Sequence, residues 1–497
     1  MAAERTDQEI NRRRKLELLR AQGIEPYQSR FDRTHTIAQA LELFAEAERQ
    51  GATEPRTERV ALAGRIVRSR VMGKASFADL QDGSGRIQLL ARSDRLGAEA
   101  YARFTDLDLG DFVGVRGTVF RTRRGEITCD AEELELLAKA LRPLPEKWHG
   151  LQDVELRYRQ RYLDLIANPE VKEVFLARSR LIQAIRRFLD ERGFVEVETP
   201  VLQAIPGGGL ARPFRTHHNA LDQDLYLRIA LELHLKRLIV GGFDRVYEIG
   251  HVFRNEGVDR VHSPEYTMLE LYQAYTDWRG MLELTEALVA HAVDRVQGAA
   301  SLTYQGETID FQRPFKRLEI HEAVSQAIGE DVLHLDEQRL RQILQQRGIA
   351  EKPGLGWGGL VIELFEELCQ DQLVQPTFVL GHPVEVSPLA RRRPDEPRLT
   401  DRFELIVAGT ELANAFSELN DPIDQRERFE QQVRAGVAGV GETHPMDEDF
   451  VTALEHGFPP TGGMGLGIDR LVALLTDQPS IRDVILFPHV RTRHAGP

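Results

Sequence analysis

From Thr6 to about Gln50, apolar residues recur at helical spacing among many charges: Ile10, Leu16 and Leu19, then Leu41, Phe44 and Ala45. That spacing predicts helices with one apolar side. Beyond Val60 the pattern shortens to the period of strands. Candidates are Val60–Val67, Ala75–Leu80, Arg86–Ala91, Phe112–Phe120 and Glu126–Leu137, separated at Asp82-Gly83-Ser84-Gly85 and Leu109-Gly110-Asp111 by turn signals.

Five short strands in about eighty residues have the size of an OB-fold barrel, which often binds single-stranded nucleic acid; other small barrels fit the same pattern. The Pro-containing run Leu141-Arg142-Pro143-Leu144-Pro145 opens a polar stretch that reads as an interdomain linker. After about Val171 the pattern is that of one large α+β domain. A helix over Ser179–Arg192 carries Leu181, Ile182, Ile185 and Phe188 on one side, stops at Gly193, and leads to a strand over Phe194–Thr199 that Pro200 ends. A mainly helical stretch near 331–370 reads as an insertion. The expected layout is a helical extension (1–57), a barrel (58–145), a linker (146–172) and the large domain (173–497).

At 497 residues and 42% hydrophobic content the chain can bury a large core. No apolar run reaches the ~20 residues of a membrane span, and the charged N-terminus is unlike a secretory signal, so a cytoplasmic protein is expected. The two cysteines, Cys129 and Cys369, support neither a disulfide framework nor a Cys-based zinc site, which leaves oxygen ligands for any metal. A net charge of -14 argues against a protein that coats nucleic acid, so RNA contact is expected to be local. The cluster Arg12-Arg13-Arg14-Lys15 suits RNA phosphates or a solvated helix face.

Three segments carry candidate chemistry. Arg245 to Tyr272 reads as two strands around a polar loop, Asn255 to Pro264, and the two-residue period puts Tyr266, Met268, Glu270 and Tyr272 on one face. Arg254 stands beside them, suited to a phosphate or to an ion pair with Glu256 or Glu270. A second hairpin, Phe403 to Leu419, turns near Gly409-Thr410; Asn414, Phe416 and Glu418 alternate onto one face, and Glu404 and Glu411 flank the turn, where two carboxylates can share a cation. Near the C-terminus a glycine-rich run, Thr461 to Gly467, leads into a helix with Arg470 in its first turn, a setting for an anion or for tight packing. It is neither a P-loop nor a dinucleotide fingerprint. His217-His218 lacks a further ligand at metal spacing.

Together these segments resemble the three motifs of the class II aminoacyl-tRNA synthetases: the helix and strand ending at Pro200, the run from Phe253-Arg254-Asn255-Glu256-Gly257 to Glu270, and Gly465-Leu466-Gly467-Ile468-Asp469-Arg470. The whole chain is similar to the bacterial-type lysyl-tRNA synthetase family, and the class I signatures are absent. The resemblance implies an N-terminal OB domain reading the anticodon, an antiparallel catalytic sheet flanked by helices, a homodimer, and ATP, L-lysine and tRNA(Lys) as partners. It assigns Arg254 and Arg470 to catalysis. ATP contacts fall to Arg254, Glu256, His262, Tyr266, Glu404 and Arg470, with Mg²⁺ on Glu404 and Glu411. Lysine recognition falls to Gly208, Glu232, Glu270, Tyr272, Asn414, Phe416 and Glu418, and anticodon contact to Arg70, Phe77 and Gln88, with Glu133 added.

The sequence departs from the family pattern at Val261, which precedes the loop histidine where many members have arginine, and at Ala408, Thr410, Ala413 and Ala415. Acidic residues suit an ammonium, because burying one unpaired costs several kcal/mol. Alternatives are an aspartyl- or asparaginyl-type tRNA ligase, a non-catalytic RNA-binding relative, and a ligase that modifies another protein.

Overall fold

The structure, a computed structural model, describes residues 6–51, 53–145, 151–209, 211–352, 354–437 and 445–491. The chain divides into two units, Met1–Gln152 and Asp153–Pro497.

In the first unit, β1 (Val60–Arg70), β2 (Ala75–Gln81), β3 (Arg86–Arg92), β4 (Phe112–Arg121) and β5 (Ile127–Ala138) close a barrel in the order β1-β2-β3-β5-β4. Alternation decides what faces inward: Ala78, Leu80, Ile87, Leu89 and Ala91 join Val113, Val115 and Cys129 in the barrel core. Ile37, Ala40 and Phe44 of the helix Ile37–Arg49 complete that core. The basic cluster at the N-terminus is partly spent on structure. Arg12 is buried and donates to the carbonyls of Leu109, Ala140 and Arg142, and Lys15 pairs with Asp106 and Asp108.

The second unit contains β6 (Val195–Glu196), β7 (Leu202–Gln203), β8 (Arg215–His218), β9 (Gln223–Leu227), β10 (Arg245–Phe253), β11 (Glu265–Ala274), β12 (Ser301–Tyr304), β13 (Glu307–Asp310), β14 (Lys316–Glu319), β15 (Thr377–Leu380), β16 (Arg402–Val407), β17 (Thr410–Ser417) and β18 (Thr461–Gly467). Eight form one sheet, β14-β15-β16-β17-β18-β11-β10-β6, antiparallel except at the two outermost pairs. One face is apolar: Tyr247, Leu269, Leu271, Ala413, Ala415 and Leu466 pack under the helices Val171–Asp190, Trp278–Gln297 and Ile468–Leu475. The opposite face carries the polar residues of β11 and β17.

Several expectations change. The strand expected over Phe194–Thr199 shrinks to Val195–Glu196, which pair in parallel only with Val246 and Tyr247. Residues 146–150 of the expected linker lie outside the described residues, and 154–167 form two short helices, Val154–Arg159 and Arg161–Ala167. They pack firmly within the second unit. Arg161 is fully buried, 2.5 Å from Asp164, and donates to the carbonyl of Leu486. The helical insertion is wider than 331–370, because Glu337–Gln346 and Trp357–Leu368 share one core with the helix Ile320–Ile328. The glycine-rich run is a central strand, β18, paired on both sides.

Candidate active site

The polar face of β11, β17 and β18 floors a cavity of about 300 Å³. β11 supplies Met268, Glu270 and Tyr272 by simple alternation. β16 and β17 supply Glu404, Glu411, Asn414 and Phe416, but here alternation alone fails. Glu404 pairs with Asn414 and Leu405 with Ala413, and then Ile406 pairs with Glu411, so Leu412 is an extra residue. This bulge shifts the phase and brings Glu411 onto the face of Glu404 and Asn414. The turn itself is Ala408-Gly409, both at positive φ (49° and 70°), one residue earlier than expected. Ala413 and Ala415 face the apolar core, so their departure from the family pattern leaves the cavity wall untouched.

At one end of the cavity stand Glu232, Glu270, Tyr272 and Glu418. Glu270 accepts from the backbone N–H of Leu231 at 3.0 Å and from Tyr272 Oη at 3.3 Å. Burial, reinforced by Glu232, nevertheless pushes its pKa up to about 7. Glu418 is 2% exposed and, among the described residues, nothing donates a hydrogen bond to its Oε1. Burial raises its pKa well above the ordinary carboxylate range even though Lys236 pulls it down. Gly463 is obligatory beneath this pair: a Cβ there would collide with Glu418 Oε1 and come within 2.5 Å of the Tyr272 ring. Gly208, at φ +84°, closes in on Ala230 and Glu232, each 3.0 Å from where its Cβ would be.

Basic groups line the other end. Arg254 packs over the Tyr266 ring at 5.5 Å and reaches the carbonyl of Ile229; among the described residues it pairs with no carboxylate, so the ion pairs weighed for it with Glu256 and Glu270 do not form. Arg402 donates to Glu404 at 2.7 Å and to Asn414 at 3.0 Å, and Arg470 contacts Glu411 at 3.2 Å. Burial opposes ionisation of Glu404, but His382 and Arg402 outweigh it and hold the pKa down to about 2. Burial also raises the Tyr266 hydroxyl to about 12.

Gly208, Glu232, Arg254, Glu270, Tyr272, Glu404, Glu411, Asn414, Phe416 and Glu418 thus line one cavity, and Tyr266 and Arg470 adjoin it through Arg254 and Glu411. Glu256 and His262 do not line it. Both are exposed on the loop between β10 and β11, where His262 Nδ1 contacts Asp259 at 2.8 Å. Arg260 is bound to the carbonyl of Pro479. His217 and His218 lie exposed on β8, away from this cavity's lining. A larger cavity, about 510 Å³, shares Glu418, but Arg279, Arg391 and Arg393 stand there among Asp277, Glu319, Asp395 and Asp401, with no set of like groups.

Sequence reasoning missed Arg402, Lys236, His382 and the role of Gly463. Arg402 was findable, since it sits two residues before Glu404 on one strand face; Lys236 left only the Glu232–Lys236 helical spacing; His382 left no signal.

On the barrel, register places Arg70 opposite Phe77, Phe77 opposite Leu90, and Gln88 opposite Asp79, so Arg70, Phe77 and Gln88 share the outer face. Phe77 is half-buried there. Glu133 is not part of that group; it pairs with Arg59 and Arg116 beside β4.

Residues 153–491 match the family described as tRNA synthetases class II (D, K and N), and residues 60–144 match the OB-fold nucleic acid binding domain. The chain is 55% identical over 492 residues to a lysine–tRNA ligase of Carboxydothermus hydrogenoformans, covering 98% of this chain and 99% of that one. It is 56% identical to one of Moorella thermoacetica, covering 96% of each chain, and 53% identical to one of Bacillus subtilis, covering 99% and 98%.

Proposed function

The chain belongs to the class II tRNA synthetases of the D, K and N group, and from that premise we propose that it uses ATP to join lysine to the terminal adenosine of tRNA(Lys). The carrying observation is the acid-lined end of the cavity, where Glu418 Oε1 is buried without a donor. A buried acceptor left unpaired costs about 1–3 kcal/mol, more if charged, and an ammonium supplies the missing donor. The relatives named lysine–tRNA ligase support the same amino acid.

In this reading Glu232, Glu270, Tyr272 and Glu418 hold the ammonium groups, Asn414 and Phe416 complete the wall, and Gly208 leaves room for the backbone of the amino acid. Arg254 takes the α-phosphate, Tyr266 stacks on adenine, and Glu256 binds the adenine edge. His262 and Arg470 take the terminal phosphates; because Glu256 and His262 stand exposed on their loop, these contacts require the loop to fold over bound ATP. Glu404 and Glu411 fit Mg²⁺: both are hard oxygen ligands in one cavity, and Glu404 is held ionised. Bound there, the ion would neutralise phosphate charge.

The lysine carboxylate is already a nucleophile. Its oxygen bonds to the α-phosphorus as the bond to pyrophosphate breaks, giving lysyl-adenylate, and the tRNA ribose hydroxyl then attacks the acyl carbon and releases AMP. Arg254 and Arg470 stabilise charge and hold the reactants in line, so no protein base is needed for the first step. The barrel face of Arg70, Phe77 and Gln88 receives anticodon bases. Exposed Val195, Val201, Leu202 and Ile205 support a homodimer contact along β6 and β7. Among the described residues no helix is long and apolar enough to cross a membrane, and we place the activity in the cytoplasm.

An aspartate ligase is the competing reading within the family, and it needs basic partners where Glu270 and Glu418 stand. Amino-acid-dependent pyrophosphate exchange across the standard amino acids decides between them. Lysine is expected to be the substrate; activation of aspartate in its place overturns the assignment.

A further inference from the structure

Lys236 lies inside the acidic end of the cavity wall although no motif draws attention to it. It is 1% exposed, and its ammonium contacts Glu232 at 2.5 Å and also Glu418. Three aromatic rings surround it, Phe416 at 5.4 Å, Tyr272 at 5.9 Å and Phe450 at 6.0 Å. A lysine this deeply buried stays charged only because its partners do.

Charge balance shows what it does. Glu232, Glu270 and Glu418 bring three formal negative charges to one end of the cavity, and Lys236 cancels one. Two remain, matching the α- and ε-ammonium groups of one lysine. Without Lys236 the three carboxylates would repel one another in a desolvated site and take up protons. Its contact also leaves Glu418 Oε1 as the oxygen without a donor.

We propose that Lys236 is a specificity-determining positioning residue, a built-in cation that fixes Glu232 and Glu418 so that the pocket accepts one dibasic amino acid. This rests on the assignment of lysine as substrate. Lys236 does not touch the reacting atoms, so its loss acts on amino-acid binding before chemistry.

The test is pyrophosphate exchange by the full-length protein carrying Lys236→Met, Lys236→Ala or Lys236→Arg. Lys236→Met keeps the volume and removes the charge; we expect its KM for lysine to rise at least about tenfold while KM for ATP stays within about twofold. Propylammonium ion, which fits the space vacated in Lys236→Ala, restores lysine affinity in that variant and not in Lys236→Met. If Lys236→Met does not fold, Lys236→Ala with and without propylammonium is decisive. An unchanged KM for lysine in Lys236→Met, equal changes in both KM values, or absence of rescue overturns the proposal. Lys236→Arg keeps a cation and is expected to fall between wild type and Lys236→Met; an Arg variant as impaired as Met also counts against a charge role. The wild-type amino-acid panel separates the two ideas: failure to activate lysine removes the substrate assignment, whereas a normal panel with an indifferent Lys236→Met removes only this inference.

Discussion

Among single residues, Glu270 links function to pH most directly. Burial and the neighbouring Glu232 raise its pKa to about 7 in the free protein. The ionised form is the one that attracts an ammonium, so as pH falls through about 7 the carboxyl gains a proton and lysine binding weakens. The expected result is a kcat/KM for lysine that declines on the acid side of pH 7, and a Glu270→Gln variant whose decline is absent over that range. A wild-type profile flat from pH 8 to about 5.5 contradicts this. Residue identities at this site were largely legible, because acid and aromatic residues on one strand face announce a desolvated cationic ligand. Lys236 and His382 were not, since each acts through a partner far away in sequence.

At the level of elements, the hairpin of β16 and β17 carries the geometry. Strand alternation correctly grouped Met268, Glu270 and Tyr272 on β11, a strand without a bulge. It cannot group Glu411 with Asn414, three residues apart, until the extra Leu412 is known. A bulge leaves no composition signal; its trace is the odd spacing between two residues wanted at one site. Deleting Leu412 should restore regular pairing and turn Glu411 away from the cavity. The expected variant folds, binds lysine, and loses Mg²⁺-dependent ATP binding by at least about tenfold; ATP binding by calorimetry, equal to wild type, would refute the bulge's role. The misjudged elements share a cause. The strand at Phe194 is short because only two residues find a partner, and the linker is helical because Arg161 finds buried carbonyls, both facts of tertiary contact.

For the whole molecule, two units with separate cores divide the labour: one barrel face for bases, one cavity for activation. Phe77→Ala tests that division. It should lower tRNA charging, with base stacking worth about 1–3 kcal/mol, and leave lysine-dependent pyrophosphate exchange unchanged; equal loss of both activities would show that Phe77 serves folding instead. The barrel was readable almost strand for strand because its alternation is regular, whereas the order of the eight-stranded sheet, assembled from strands distant in sequence, was not. The unpaired oxygen of Glu418 also reaches beyond catalysis. Keeping that carboxylate out of water without a donor weakens the folded chain when it is empty, and lysine removes the penalty by binding only the folded form. Lysine alone, without ATP or tRNA, should therefore raise the melting temperature, and aspartate should not, with a gain near 2.7 kcal/mol at about 100 times the dissociation constant. The substrate is in that sense a folding ligand, and amino-acid starvation becomes a condition under which the idle enzyme is easier to unfold and to digest.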